Sequence, residues 1–232
     1  MEFMLIYIKC NLIKKMNSVI ILAAGQSARF GHKIPKQFSI LHNKKSVLDF
    51  SVDIFINHCK VNEIIIVVPK LWKEKIQKKY PDCKVIYGGE NRSESSYLGL
   101  RNCSKKCKFV LIHDAARPLI SNQLIDKCLF ALLDNDGVIP CLNINDALIS
   151  IDKKEINYLD RKNIKLVQTP QAFRYDKILS AYNNQTNALD DFSVLINNKK
   201  KIKTLIINGC EKNFKITTEN DMIIAKKIID EL

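Results

Sequence analysis

The 232-residue sequence is short of acids: 24 Asp and Glu stand against 37 Lys and Arg, for a formal net charge of +13. That imbalance keeps nucleic acid in view as a partner, but a small anionic substrate accounts for it equally well. The basic residues are not interleaved with aromatics in the manner of an RNA-binding surface, which argues against such a module. No C-x-x-C pair occurs among the eight cysteines, Cys10, Cys59, Cys83, Cys103, Cys107, Cys128, Cys141 and Cys210. Several sit inside apolar patterns and read as buried free thiols in a reducing cytoplasm, or in an organelle stroma if the source is eukaryotic. Cys103 and Cys107 with His113 nearby is the one grouping that invites a metal, and free thiols are the plainer account. No apolar run is long enough to cross a bilayer. The opening residues, MEFMLIYIKCNLIKK, are apolar then basic, with no small-residue cleavage site after them. Residues 1–15 are therefore expected to be an N-terminal extension or a misassigned start before Met16. One α/β domain over residues 16–232 follows, since 47% hydrophobic and 26% charged residues describe a soluble globular chain.

Residues 18–38, SVIILAAGQSARFGHKIPKQF, organise the rest. An apolar run over 19–24 has the length of a fully buried strand and ends at Gly25. The loop after it carries Gly25, Ser27 and Gly31 for close backbone approach and Arg29, Lys33 and Lys36 for charge, with Pro35 stiffening the exit. It is neither G-x-x-x-x-G-K-[ST] nor G-x-G-x-x-G. A small basic loop at a strand end is how open α/β sheets hold nucleotide phosphates; an ordinary basic surface loop has the same composition.

Further along, residues 45–59 have helical spacing, 63–69 read as a second buried strand, and 71–80 as a basic helix whose Lys73, Lys75, Lys78 and Lys79 make a solvated face. A strand over 83–87 ends at Gly88-Gly89. Strand alternating with helix predicts a doubly wound, mostly parallel sheet with right-handed crossovers. GGENRSESSYLGL then starts a helix whose N-terminus faces the same cleft as the first loop, or is an ordinary strand-turn-helix junction. FVLIHDAARP places Asp114 at the carboxyl end of a buried strand, where one carboxylate suits Mg²⁺ held together with triphosphate oxygens. Ser121 caps a helix to residue 134, and 137–140 is a strand. Residues 143–166 are polar and basic with short β-like pieces such as 147–151. A helix over 175–182, a strand over 203–207 and a closing helix to residue 229 complete the chain, the last begun by a Thr218/Asp221 capping box. Asp190-Asp191 reads as a pair of acids complementing a helix dipole.

LAAGQSARFGHKIPKQF, with the two stretches just described and NFKIT at 213–217, resembles the cytidylyltransferases of sugar-alcohol phosphates, above all the 2-C-methyl-D-erythritol 4-phosphate branch of non-mevalonate isoprenoid synthesis. The resemblance covers almost the whole chain and implies a Rossmann-like nucleotidyltransferase fold with a β-arm at about 143–166 that crosses a homodimer. It implies transfer of CMP from CTP to the polyol phosphate with release of pyrophosphate, with Mg²⁺ and without nucleic acid or membrane. Arg29, Lys36 and Lys215 fall on the catalytic cations. Ala23, Ala24, Gly25, Gly89, Glu90, Ser95, Asp114 and Ala115 fall on nucleotide-binding positions, Asp114 being also the metal aspartate. Arg92 matches a motif arginine. Arg117, Arg161 and Thr169, the last within the QTPQ of 168–171, fall on substrate-binding positions. The nucleophile in such a reaction is a phosphate already ionised, so His113 is expected to be structural. Three departures stand out: Glu90 for an aspartate, Leu189 for a threonine, and Asp146-Ala147-Leu148-Ile149, which lacks the threonine hydroxyl and lysine of the family arm. The last leaves the polyol open, and ribitol 5-phosphate is the alternative acceptor.

Overall fold

The structure is a computed structural model that describes residues 16–25, 34–153, 155–182, 188–198 and 201–231. The first strand, β1 (Met16–Leu22), is buried from Asn17 to Ile21 and continuously apolar from Val19, because it lies mid-sheet with both faces covered. Val19 and Ile21 face one layer and Ile20 the other. Helix α1 (Val47–Ile56) follows, then β2 (Glu63–Val68), α2 (Lys73–Lys79), β3 (Lys84–Tyr87), α3 (Arg92–Arg101), β4 (Cys107–Asp114), α4 (Asn122–Ala131) and β5 (Gly137–Asn143). β6 (Leu148–Asp152) and β7 (Glu155–Leu159) form a hairpin. The chain continues through β8 (Lys165–Val167), β9 (Gln171–Arg174), α5 (Tyr175–Tyr182), α6 (Asp191–Asn197), β10 (Thr204–Asn208) and α7 (Glu219–Asp230).

The main sheet runs β8-β5-β9-β4-β1-β2-β3, with β10 beside β5. β1 is parallel to both neighbours, Ile20 opposing Ile65 on β2 and Ile112 on β4. β2 and β3 are parallel, as are β10 and β5, whereas β9 and β8 run antiparallel to their neighbours. The sheet is therefore mixed and mostly parallel, with the expected alternation carrying the β4-β1-β2-β3 half. On one face Leu48, Val52 and Phe55 of α1 and Ile125 and Leu129 of α4 pack on Val19, Ile21 and Ile66. On the other, Leu100 of α3, Ile178 and Tyr182 of α5 and Val194 and Leu195 of α6 pack on Ile20, Ile65 and Ile112. Each fully buried aliphatic side chain contributes about 1.5–3 kcal/mol. Because the parallel strands all end on one edge, the turns after β1, β3 and β4 meet there.

Several local readings shift. Lys45 and Ser46 belong to a small hairpin with Ile40–His42, and the helix opens only at Val47, with Ser46 in a full capping box with Asp49. The helix after Ser121 stops at Ala131. Lys79 is not simply solvated: its Nζ lies 2.6 Å from Oδ2 of the buried Asp49. Cys83, Cys103, Cys107, Cys128 and Cys141 are buried free thiols, but Cys59 is exposed and Cys10 lies outside the described residues. β6 and β7 pair with each other and, among the described residues, with no strand of the main sheet.

Candidate active site

At the carboxyl end of β1 the chain leaves the sheet through Ala23, Ala24 and Gly25. The Ala23 N–H is still in register, donating to the Val67 carbonyl at 2.8 Å. The carbonyls of Ala23 and Gly25 both accept from Gln37 Nε2, each at 2.8 Å. One buried amide thus clamps the mouth of the loop to the turn that carries Lys36. That turn, Lys36–Phe38, is stiffened by Phe38, whose ring stacks on Trp72 at 3.9 Å between centroids. Arg29 lies outside the described residues, as do Ser27, Gly31 and Lys33.

The turn after β3 abuts the first. A Cβ on Gly88 would stand 2.3 Å from the Ala24 Cβ, so glycine lets the two turns touch. Gly89 N–H donates to Ser95 Oγ at 3.1 Å, and that hydroxyl donates to the Asn91 carbonyl at 2.9 Å. Asn91 caps α3, its side chain accepting from Glu94 N–H, and Glu90 N–H donates to the Glu94 carboxylate at 2.8 Å. Gly89 and Glu90 thus form a turn whose shape is fixed from within.

β4 ends in His113 and Asp114. The Asp114 N–H donates to Thr169 Oγ1 at 3.0 Å, and that hydroxyl is 3.2 Å from His113 Nδ1. His113 Nε2 lies 3.1 Å from the Arg117 carbonyl. The arrangement closes with the imidazole neutral, accepting from Thr169 and donating from Nε2. Full burial pushes the His113 pKa down to about 4, against the opposing pull of Asp114. With both nitrogens used internally, His113 is structural.

Asp114 is the centre of charge. Its Oδ1 is 3.2 Å from Arg92 Nε and its Oδ2 2.7 Å from Lys215 Nζ. Burial works against the carboxylate, but Arg92, Lys215 and, less closely, Arg117 hold its pKa well below the ordinary range. Arg117 points across the strand ends, donating to the carbonyls of Asn213 at 2.9 Å and Val167 at 3.3 Å. Arg92 also reaches Asp191, whose Oδ2 is 2.8 Å from Nη1. Lys215 is carried by a loop fastened to residues 168–169: Gln168 Nε2 donates to the Cys210 and Asn213 carbonyls, and Asn213 Nδ2 to the Thr169 carbonyl. Three cations and two carboxylates from four stretches of sequence therefore surround the end of β4.

The family model for 2-C-methyl-D-erythritol 4-phosphate cytidylyltransferase matches residues 17–231. The chain belongs to this family. The enzyme of that name from Alkaliphilus oremlandii is 36% identical over 225 residues, covering 91% of this chain and 94% of the relative. That from Caldicellulosiruptor saccharolyticus is 34% identical over 221 residues, covering 91% and 96%. The crystal structure of 4-diphosphocytidyl-2C-methyl-D-erythritol synthase from Anaerococcus prevotii superposes with a TM-score of 0.82 at 26% identity, covering 93% of this chain and 96% of that one.

The sequence-predicted family residues fall into three groups. Ala23, Ala24, Gly25, Lys36, Gly89, Glu90, Ser95, Asp114, Ala115, Arg117, Thr169 and Lys215 lie on the turns at the carboxyl edge of the sheet or in the segments fastened to them. Ala115 is fully buried there, its N–H donating to the Leu22 carbonyl and its own carbonyl accepting from Ser51 Oγ. Arg161 stands apart, exposed beside the hairpin, where it donates to the Asn145 carbonyl. Arg29 is the third case, outside the described residues. The sequence reading placed Gln168, Gln171 and Asn213 inside family motifs without giving them a role, and it missed the role of Gln37 and the true place of Asp191. Buried amides in apolar surroundings were the available signal, since each needs partners that only the backbone of a distant loop supplies.

Among the described residues there is no cluster of three or more His, Cys, Asp or Glu placed to hold a metal. Asp114 stands alone in that respect. Each of its oxygens takes one cationic donor and keeps a second lone pair, a donor set that fits Mg²⁺ sharing its ligands with a triphosphate and fits no all-protein metal cage.

Proposed function

We propose that the chain transfers CMP from CTP to 2-C-methyl-D-erythritol 4-phosphate, giving CDP-methylerythritol and pyrophosphate in non-mevalonate isoprenoid synthesis. The observation that carries the reading is the Arg92, Lys215 and Arg117 cluster on Asp114 at the carboxyl edge of the sheet, in a chain of this family. An oxygen of the polyol phosphate attacks the α-phosphorus of CTP, a new P–O bond forms, and the bond to the β-phosphate breaks as pyrophosphate departs. The nucleophile is ionised at neutral pH, so no protein base is needed, consistent with a neutral, fully bonded His113. Positioning and charge stabilisation supply the catalysis, and Arg29, Lys36 and Lys215 are the cations assigned to it. Ala23, Ala24 and Gly25 offer backbone along the triphosphate; Gly89, Glu90 and Ser95 face the cytosine; Asp114 and Ala115 adjoin the ribose and α-phosphate. Asp114 would hold Mg²⁺, which when bound neutralises phosphate charge and polarises the reacting centre.

Arg117 and Thr169 are assigned to the polyol phosphate, and Arg161 to the same site in a neighbouring subunit. Ile149, Ile151, Ile156 and Tyr158 are 48%, 69%, 63% and 81% exposed on the β6–β7 hairpin, an apolar surface that a homodimer would cover. No helix of the described residues is long and apolar enough to cross a membrane; with its free thiols, the protein is assigned to the cytoplasm. The test is pyrophosphate release with Mg²⁺, each of the four nucleoside triphosphates, and methylerythritol phosphate or ribitol 5-phosphate. Turnover with CTP and methylerythritol phosphate, well ahead of every other pairing, is expected. Equal rates with all four nucleotides, or none with this pair, refute the reading.

A further inference from the structure

Asp191 has no part in the reaction just described, yet among the described residues it is the most completely buried carboxylate, with no exposed surface. Its Oδ1 accepts from Tyr182 Oη at 2.6 Å and its Oδ2 lies 2.8 Å from Arg92 Nη1. The same guanidinium places Nε 3.2 Å from Asp114 Oδ1. One planar cation therefore spans two carboxylates, one opening α6 and the other ending β4. The turn bearing Asp191 is itself fixed. Asp190 caps α6 in a capping box with Ser193, Gln171 Nε2 donates to Asp190 Oδ2 at 2.7 Å, and Phe192 N–H donates to Gln171 Oε1 at 2.8 Å. Gln171 lies on β9 beside β4, so the anchor is referred back to the strand that ends in Asp114.

A guanidinium is rigid, and fixing one of its nitrogens fixes the direction of the others. Lys215 holds only Oδ2 of Asp114; without Asp191, Arg92 would be free to turn and Oδ1 would lose its directed donor, whereas held also by Asp191 it cannot turn. We infer that Asp191 is a positioning residue, which through Arg92 holds Asp114 in the orientation that nucleotidyl transfer requires while touching no substrate itself. The inference rests on the functional reading above. A carboxylate that merely anchored α6 would give up stability when neutralised and leave the turnover of the folded enzyme alone.

Steady-state kinetics and thermal unfolding of the full-length parent, Asp191→Asn, Asp191→Glu and Arg92→Lys separate these cases. Folded Asp191→Asn should lose about 10- to 100-fold in kcat, as misplacement of a reacting group does. Its KM for both substrates should stay within about threefold of the parent, because ground-state binding is untouched. Asp191→Glu should regain part of the loss, and Arg92→Lys, which keeps the cation but cannot bridge, should resemble Asp191→Asn. Parental kcat in folded Asp191→Asn overturns the inference. Should that variant fail to fold, Arg92→Lys decides, and parental kcat there overturns it equally. A parent that releases no pyrophosphate from CTP refutes the functional reading and this inference with it, a result distinct from an active parent with an indifferent variant.

Discussion

Gly88→Ala tests whether the contact between the first two turns is what the structure says it is. The new Cβ would lie 2.3 Å from the Ala24 Cβ and 3.0 Å from Ser95 Oγ, whereas carbon atoms rest at about 3.5–4.0 Å. Neither carbon can rotate away, because both are attached directly to backbone that the sheet holds: Gly88 N–H donates to the Val68 carbonyl at 2.9 Å and Ala23 N–H to the Val67 carbonyl at 2.8 Å. More than 1 Å of overlap must be relieved by moving strand ends, for which overpacking costs of about 1–3 kcal/mol apply. In a domain of this size each kcal/mol lowers Tm by about 2–4 °C, so Gly88→Ala should melt about 2–12 °C below the parent. Since the two turns are the ones assigned to the nucleotide, KM for CTP should rise more than KM for the polyol phosphate. The decisive comparison is the double variant with Ala24→Gly, which removes the carbon being struck. On its own Ala24→Gly should cost about 0.5–1 kcal/mol in chain entropy, yet in the Gly88→Ala background it should raise Tm. A Gly88→Ala protein with parental Tm, or a double variant less stable than Gly88→Ala by the full cost of the second change, would refute the reasoning.

Four further outcomes are expected. Lys36→Ala and Lys215→Ala should each cut turnover by on the order of 10²-fold without altering the unfolding transition by more than a few degrees, as loss of one preorganised cation does; a folded variant near parental turnover would remove that lysine from the catalytic set. Chelator should abolish pyrophosphate release and Mg²⁺ restore it, with Asp114→Asn needing more Mg²⁺, and indifference to EDTA would show that Asp114 serves no metal. Burial opposes ionisation of Asp49, but hydrogen bonds from Lys79, Tyr80 and Ser46 outweigh it and leave the folded pKa below the ordinary 3.8. Its stabilisation is therefore complete above the unfolded value and is lost as pH falls through the folded one, so the Tm gap between parent and Asp49→Asn should narrow below pH 3.8, and a gap that stays constant into acid would contradict the network. If Arg161 serves the site of a neighbouring subunit, as proposed, mixed Arg161→Ala and Lys36→Ala subunits should recover activity that neither variant has alone, because one pocket of a mixed dimer would hold both residues; inactivity despite proven subunit exchange would confine the site to one chain.

The strands and the crossing helices were legible because their signals are local. Continuous apolar runs at 19–22, 64–68 and 109–112, bounded by turn residues, read as strands buried on both faces, and Ser121 and Thr218 each sit where a helix begins, their side chains accepting from the backbone three residues on. The start of α1 was misjudged by two residues because its approach turns through Asn43 and Lys44 at φ 43° and 63°, a left-handed turn that no glycine announces. Lys79 was misjudged for a different reason. Its helix is basic and exposed on one face, and nothing within it reveals that Asp49, 30 residues earlier and buried, needs a cation.

The site shows the same division more sharply. Its turns were readable, since each follows a strand and carries its own glycine, aspartate or lysine. Its charge pairing was not, because Arg92, Asp114, Asp191 and Lys215 come from four separate segments, and only the sheet order β9-β4-β1-β2-β3 brings those segments to one edge. Read singly, Asp190-Asp191 complements a helix dipole; paired through Arg92, Asp191 becomes half of a bridge. The sum then decides what the cluster is for. Buried ions are retained only when paired, and here, among the described residues of the cluster, Arg92, Arg117 and Lys215 exceed Asp114 and Asp191 by one positive charge. A cluster serving stability alone would close neutral. The surplus at the mouth of the cleft is met when a polyanion arrives, which is the charge balance a triphosphate and a second phosphate would supply.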